Sequence, residues 1–209
     1  MNRLRKCVVV GVLVTAAIGL LAVAAAEDAT FVLPENLPPL QAPILVTTCG
    51  QSPGALMFTL ICNDLGLDCT EMDLLTVAEL QSDCDPAQPT QWAKVLVITT
   101  GTSLKGMGAA GVDVDSEVAR CLGLIEEAKA QGMVVIVAQI EGIARRVDEY
   151  DEKSIESMSP LADLLITRSD INGDGYFTTL AAEKGIPQIF INETLDLQVL
   201  LPLLFPASS

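Results

Sequence analysis

The residues able to do chemistry in this chain gather just past five short apolar runs. Ile44-Leu45-Val46 leads into Thr47-Thr48-Cys49-Gly50-Gln51-Ser52. Val95-Leu96-Val97-Ile98 leads into Thr99-Thr100-Gly101-Thr102-Ser103. Val134-Val135-Ile136-Val137-Ala138 leads into Gln139, Glu141 and Gly142. Leu164-Leu165-Ile166 leads into Thr167-Arg168-Ser169-Asp170, and Ile189-Phe190-Ile191 into Asn192-Glu193-Thr194. Gly50, Gln51 and Ser52 precede a helix start, where small residues let backbone N–H groups approach a ligand. Cys49 is a candidate nucleophile there, because a helix N-terminus favours thiolate. The chain has no histidine, so its base would be a carboxylate such as Glu141, or Lys105.

Two further clusters suit anions and cations. Lys105, Arg145, Arg146 and Arg168 all fall just beyond strands, and guanidinium forks match carboxylate or phosphate. Asp148, Asp151, Glu152 and Asp170 lie close in sequence and offer these cations ordinary ion pairs instead. Asp170-Ile171-Asn172-Gly173-Asp174-Gly175 matches the first half of a calcium loop, with Asp170, Asn172 and Asp174 as ligands. Ala181 stands where the closing bidentate glutamate belongs. The alternative is an Asx turn capping the next helix. No cofactor other than calcium is suggested.

The segment from Gly101 through Ser103, Lys105 and Gly106 to Gly111 reads as a long glycine-rich functional loop. Gly106, Gly108 and Gly111 form a formal G-x-G-x-x-G. Six residues separate it from the strand, and the ribose-binding acid expected near Gln131 is missing, so dinucleotide binding is not predicted.

Continuous apolar runs of this length read as parallel strands buried on both faces. Strands are expected over 44–48, 69–73, 94–99, 134–138, 163–167 and 187–191. Helices are expected over 53–65 with Ser52 as N-cap, 76–80, 115–130 with Asp115 as cap, 154–158, 176–184 and 196–204. For 115–130 the inner stripe is Val118, Leu122, Ile125 and Ala128. The alternation specifies an α/β fold: a doubly wound, mainly parallel sheet of about six strands with helices on both faces, Rossmann-like or flavodoxin-like. In such sheets ligands bind beyond the carboxyl ends of the strands.

The chain has 209 residues, half of them hydrophobic but only 4% aromatic, and a formal charge of −15. Nucleic acid and anionic membranes are excluded as partners by repulsion. Arg3, Arg5 and Lys6, the apolar run 8–21 and Ala24-Ala25-Ala26 form an export signal cleaved before Glu27. The mature protein is then extracytoplasmic, secreted or periplasmic, and its charge falls to −18. Residues 27–42 are a proline-rich extended lead-in, and 43–205 a single α/β domain. Five cysteines remain after cleavage. Cys62 and Cys121 read as buried small hydrophobes, and Cys69 and Cys84 as able to pair.

Ser103-Leu104-Lys105-Gly106-Met107-Gly108-Ala109-Ala110-Gly111, with Arg145-Arg146, Asp174-Gly175-Tyr176-Phe177 and Gly185-Ile186-Pro187, resembles an exported bacterial family, domain of unknown function family 6305. The resemblance runs from about Pro43 to Phe205 and implies export and domain extent, with no activity attached. Three readings stand. The first is a module binding a small polar or anionic molecule through Thr48–Ser52, Gly101, Ser103, Lys105, Gly106, Glu141, Arg145 and Arg168. The second is a hydrolase or transferase on Cys49 with a carboxylate base. The third is a protein-interaction subunit with an apolar patch at Leu104 and Met107.

Overall fold

A computed structural model of the chain describes residues 31–82 and 93–206. The expected signal and Cys84 lie outside the described residues. Six parallel strands, β1 (Ile44–Cys49), β2 (Cys69–Glu71), β3 (Val95–Thr100), β4 (Val134–Gln139), β5 (Leu164–Arg168) and β6 (Gln188–Ile191), are ordered 2-1-3-4-5-6. That order is of the flavodoxin-like type and puts the topological switch point between β1 and β3. Every residue of β1 and β3 is buried, because helices cover both faces.

Alternation along the strands sorts the core. Ile44, Val46, Val95, Val97, Ile136 and Ile166 face α1 (Gly54–Asp64) and α7 (Leu197–Leu204). Leu45, Ile98, Val135 and Leu165 face the other layer. That layer holds α2 (Val77–Gln81), α3 (Leu104–Ala110), α4 (Val114–Ala130), α5 (Glu149–Met158) and α6 (Tyr176–Lys184). Each fully buried Leu or Ile contributes about 1.5–3 kcal/mol. The lead-in packs Phe31, Leu33, Leu37 and Leu40 against the α1/α7 layer. Among the described residues no helix is long and apolar enough to cross a membrane.

Four local expectations are corrected. The glycine-rich loop is helix α3, capped by Ser103 and closed by Gly111 at φ +72°. Burial of Met107 against the core outweighs the low helix propensity of two interior glycines, because tertiary packing overrides propensity. The helix expected over 154–158 starts five residues earlier, so that residues 149–153 form the first half of α5. Asp148 caps that helix by accepting from the Tyr150 and Asp151 N–H groups. The cap of α4 is Asp113, in a reciprocal box with Ser116, and its buried stripe runs through Cys121 and Leu124, leaving Leu122 exposed. Ser52 does not cap α1; Pro53 takes the N-cap position with no side-chain bond.

β2 is an edge strand whose Glu71 pairs in register with Val46. Desolvation first, then the Asp73 carboxylate, raise the Glu71 pKa to about 7. With the folded value above the unfolded one, the folded state holds the extra proton between about pH 4.5 and 7. Stability therefore falls as pH rises through that window. Glu71→Gln should flatten this decline. Urea midpoints of both proteins at pH 5 and pH 8 check it; equal slopes would show that Glu71 ionises freely.

Candidate functional site

The switch-point crevice is closed by its own loops. Gly50 and Gly101 take φ of +120° and +110°, and the Ser103 N–H donates to the Gly50 carbonyl at 2.8 Å. Gln51, at φ +56°, forms an isolated antiparallel bridge with Thr102. Helix α3 then lies directly on this turn: a methyl group at Gly106 would overlap the Gln51 carbonyl oxygen.

On the α4 side a buried charge network fixes both turns. Glu117 is fully buried and accepts from the Gly50 N–H (3.1 Å), Gln51 Nε2 (2.9 Å) and both Nε and Nη2 of Arg120 (2.9 Å each). Arg120 also donates to Thr47 Oγ1 and to the carbonyls of Thr48 and Leu75. Asp151, equally buried, accepts from the Thr102 N–H and hydroxyl at 2.7 Å each and from the Val147 N–H. Ser154 accepts from the Gly101 N–H and donates to the Cys49 carbonyl. These groups are satisfied and serve as scaffold; Thr100 Oγ1 on this face and Ser159 Oγ are the buried oxygens outside the α1 side without a partner among the described residues.

On the α1 side the polar atoms are left open. Thr48 Oγ1, Ser52 Oγ and Glu141 Oε1 are buried without a hydrogen-bond partner among the described residues. The Glu141 side chain is 8% exposed, and its other oxygen accepts from Arg145 Nε at 3.1 Å. A methyl on Gly54 would sit 3.0 Å from Glu141 Oε1 and 3.1 Å from Thr99 Oγ1. Thr48 is the register partner of Thr99, and Ser52 is 4% exposed, two residues before Gly54. The amino end of α1, whose first N–H groups have no intrahelical acceptor, thus stands beside the unpaired Glu141 oxygen and Thr99, with Ser52 just before it and Thr48 on the neighbouring strand. Farther along α1, Met57, Leu60 and Ile61 face Glu193, Thr194 and Leu195 across an apolar groove of about 480 Å³.

A family model, Domain of unknown function (DUF6305), matches residues 41–205. The chain belongs to the DUF6305 family. No curated protein sequence matches it. Among solved structures it is similar to a GDSL-like lipase from Bacteroides thetaiotaomicron, at 12% identity over 70% of this chain and 66% of that one, TM-score 0.36. It is also similar to the psychrotrophic esterase EstA from Pseudoalteromonas sp., at 10% identity over 71% and 76%, TM-score 0.32. The chain spans slightly less than two thirds of the lipase. At such identities and scores, lipase and esterase chemistry belongs to those proteins alone.

In this DUF6305 domain the sequence-derived cations do not converge. Arg145 binds Glu141 and the Thr102 carbonyl. Arg168 is taken up by Asp170 and Glu193, and Lys105 is exposed on α3. Arg146 pairs with Glu152 and Asp174 and lies over the rings of Tyr176 and Phe177. The anion cluster is therefore replaced by ion pairs. The calcium ligands are likewise spent: Asp170 on Arg168 and the Ile143 N–H, Asn172 on the Phe177 N–H, and Asp174 on Arg146 and the Tyr176 N–H. Among the described residues no three His, Cys, Asp or Glu side chains gather to hold a metal.

Cys49 faces α4 and is fully buried beside Cys121. The Cys121 thiol holds it below the usual thiol range, against the opposing effect of burial. No described carboxylate hydrogen-bonds its sulfur, and solvent does not reach it. Leu104 is exposed but Met107 is buried, so the apolar patch expected on that loop is not formed. Of the predicted site residues, Thr48, Ser52 and Glu141 carry the unpaired oxygens, and Glu141 lies against the start of α1. Thr99 and Gly54 were missed, as was the Glu117–Arg120 pair. Glu117 was legible, standing four residues before Cys121 on the inner stripe of α4.

Proposed function

We propose that this DUF6305 domain binds a small polar molecule bearing hydrogen-bond donors, at the carboxyl edge of the sheet between the start of α1 and Glu141. One observation carries the reading: the buried Glu141 Oε1 has no partner and lies against Gly54 at the start of α1, and the buried Thr48 and Ser52 hydroxyls, on the strand and turn leading into that helix, are also unpaired. Leaving a buried polar group unpaired costs about 1–3 kcal/mol, which a donor-bearing ligand would recover. The carboxylate beside the helix end favours hydroxyl or ammonium groups over phosphate or carboxylate, because it repels anions and already occupies the positive helix terminus. Export through the 1–26 signal belongs to the same proposal, and N-terminal sequencing of secreted protein should find Glu27 first.

A thermal-shift screen of polyols, primary amines, carboxylates and phosphates tests the site. Polyols or amines should raise the melting temperature by mass action, and Glu141→Gln or Ser52→Ala should each remove the shift. Stabilisation by the anions alone, or by no compound, would sink the proposal; the oxygens would then be hydrated by ordered water only.

A further inference from the structure

We propose that Cys62 and Cys69 are an oxidisable pair that forms a disulfide, tying the carboxyl end of α1 to the start of β2. Cys62 lies on the last turns of α1, facing the sheet and fully buried. Cys69 is the first residue of β2, packs against the same apolar cluster and is partly exposed. The Cys69 thiol reaches Thr59 Oγ1 at 3.9 Å, and Thr59 stands one helical turn before Cys62 on the same buried face of α1, which brings the two thiols side by side under the helix end. The connection between them is short and held in place. The Leu67 N–H donates to the Cys62 carbonyl at 2.9 Å, and the Ile44 N–H to the Asp68 carbonyl at 2.8 Å.

Accessibility orders the chemistry. The other neighbouring thiols, Cys49 and Cys121, are both fully buried, so no reagent meets them in the folded protein. Cys69 is the less buried residue of the pair, and the neighbouring Cys62 thiol lowers its pKa and so favours its thiolate. With a small disulfide as oxidant, the Cys69 thiolate attacks one of its sulfurs and releases one thiol, leaving a mixed disulfide on Cys69. Cys62 then loses its proton to solvent and attacks Cys69 Sγ, releasing the second thiol. Two protein thiols are oxidised and one small disulfide is reduced to two thiols. The bridge anchors the far end of α1, the helix whose near end borders the open oxygens.

Folded full-length protein is treated with oxidised glutathione, alkylated, cut on the acidic residues and mapped by tandem mass spectrometry. No Lys or Arg separates Cys49 from Cys84, whereas Asp64 and Asp68 lie between Cys62 and Cys69. The expected product is a Cys62–Cys69 link, two hydrogen masses lighter, with Cys49 and Cys121 alkylated only after unfolding. Closing so short a loop should raise the melting temperature by about 5 °C, reversed by reductant. Cys84→Ser should give the same link, and Cys62→Ser should leave glutathione on Cys69. The proposal is overturned if Cys69 links to Cys84, if wild type retains the Cys69 adduct, or if Cys69 is not oxidised.

Discussion

Glu117→Ala should destabilise the domain by about 3–5 kcal/mol, the range for removing one partner of a buried ion pair. Three consequences add in the same direction. The Arg120 guanidinium loses two of its hydrogen bonds and its counter-charge while remaining between β1 and the loop before α2. The Gly50 N–H loses its acceptor. Gln51, a non-glycine residue at φ +56°, loses one of its two side-chain bonds and keeps only the longer one to the Asp73 carbonyl. Domains of this size are stable by only about 5–15 kcal/mol, so the loss should show as a large drop in urea midpoint. In the double variant Glu117→Met with Arg120→Met, the cost should be well below the sum of the single ones, because no charge is then stranded. A loss under about 1 kcal/mol for Glu117→Ala would mean that the pair behaves as a solvated surface bridge.

The second large effect separates two glycines of one helix. Gly106→Ala places a methyl into the Gln51 carbonyl oxygen, a backbone atom that cannot swing aside. Either α3 lifts or the β1–α1 turn shifts, and the expected loss is about 2–3 kcal/mol, the upper part of the range for overpacking. Gly108→Ala meets nothing within 4 Å. It should instead gain about 0.5–1 kcal/mol, the ordinary benefit of alanine over glycine inside a helix. Denaturant unfolding of the two variants side by side is the measurement. Equal effects of the same sign would show that α3 does not rest on the β1–α1 turn. Because that turn carries Ser52, Gly106→Ala should also weaken any ligand-induced thermal shift, whereas Gly108→Ala should not.

Much of the fold is written locally. Five apolar runs of three to five residues, each bounded by small polar residues, read as strands buried on both faces, and with β2 the described strands are the expected six. Helix α6 begins at Tyr176 and ends at Lys184 before Gly185 as expected, because glycine at φ +68° is a stop that needs no tertiary help. Helix α3 and the first half of α5 were not legible. Glycine in one and charge in the other mask the helical period, and what settles them is contact: Gly106 on Gln51, and Asp151 and Ser154 on the β3 turn.

The candidate site divides the same way. Sequence by itself determined the edge of the sheet at which polar residues collect, since parallel strands must all end there, and it supplied Thr48, Ser52 and Glu141. Which of those residues meet was decided by the tertiary structure alone. Strand alternation sends Cys49 to the α4 face and Thr48 to the α1 face, one residue apart but on opposite sides of the sheet. Each arginine sought whichever carboxylate or carbonyl the fold brought near: Arg145 took Glu141 and Thr102, and Arg168 took Asp170 and Glu193. The physical reason is that ion pairing and burial depend on distances between elements far apart in the chain. A one-dimensional pattern gives the faces and the ends of the strands, but only the packed sheet determines which polar atoms are paired and which stay open.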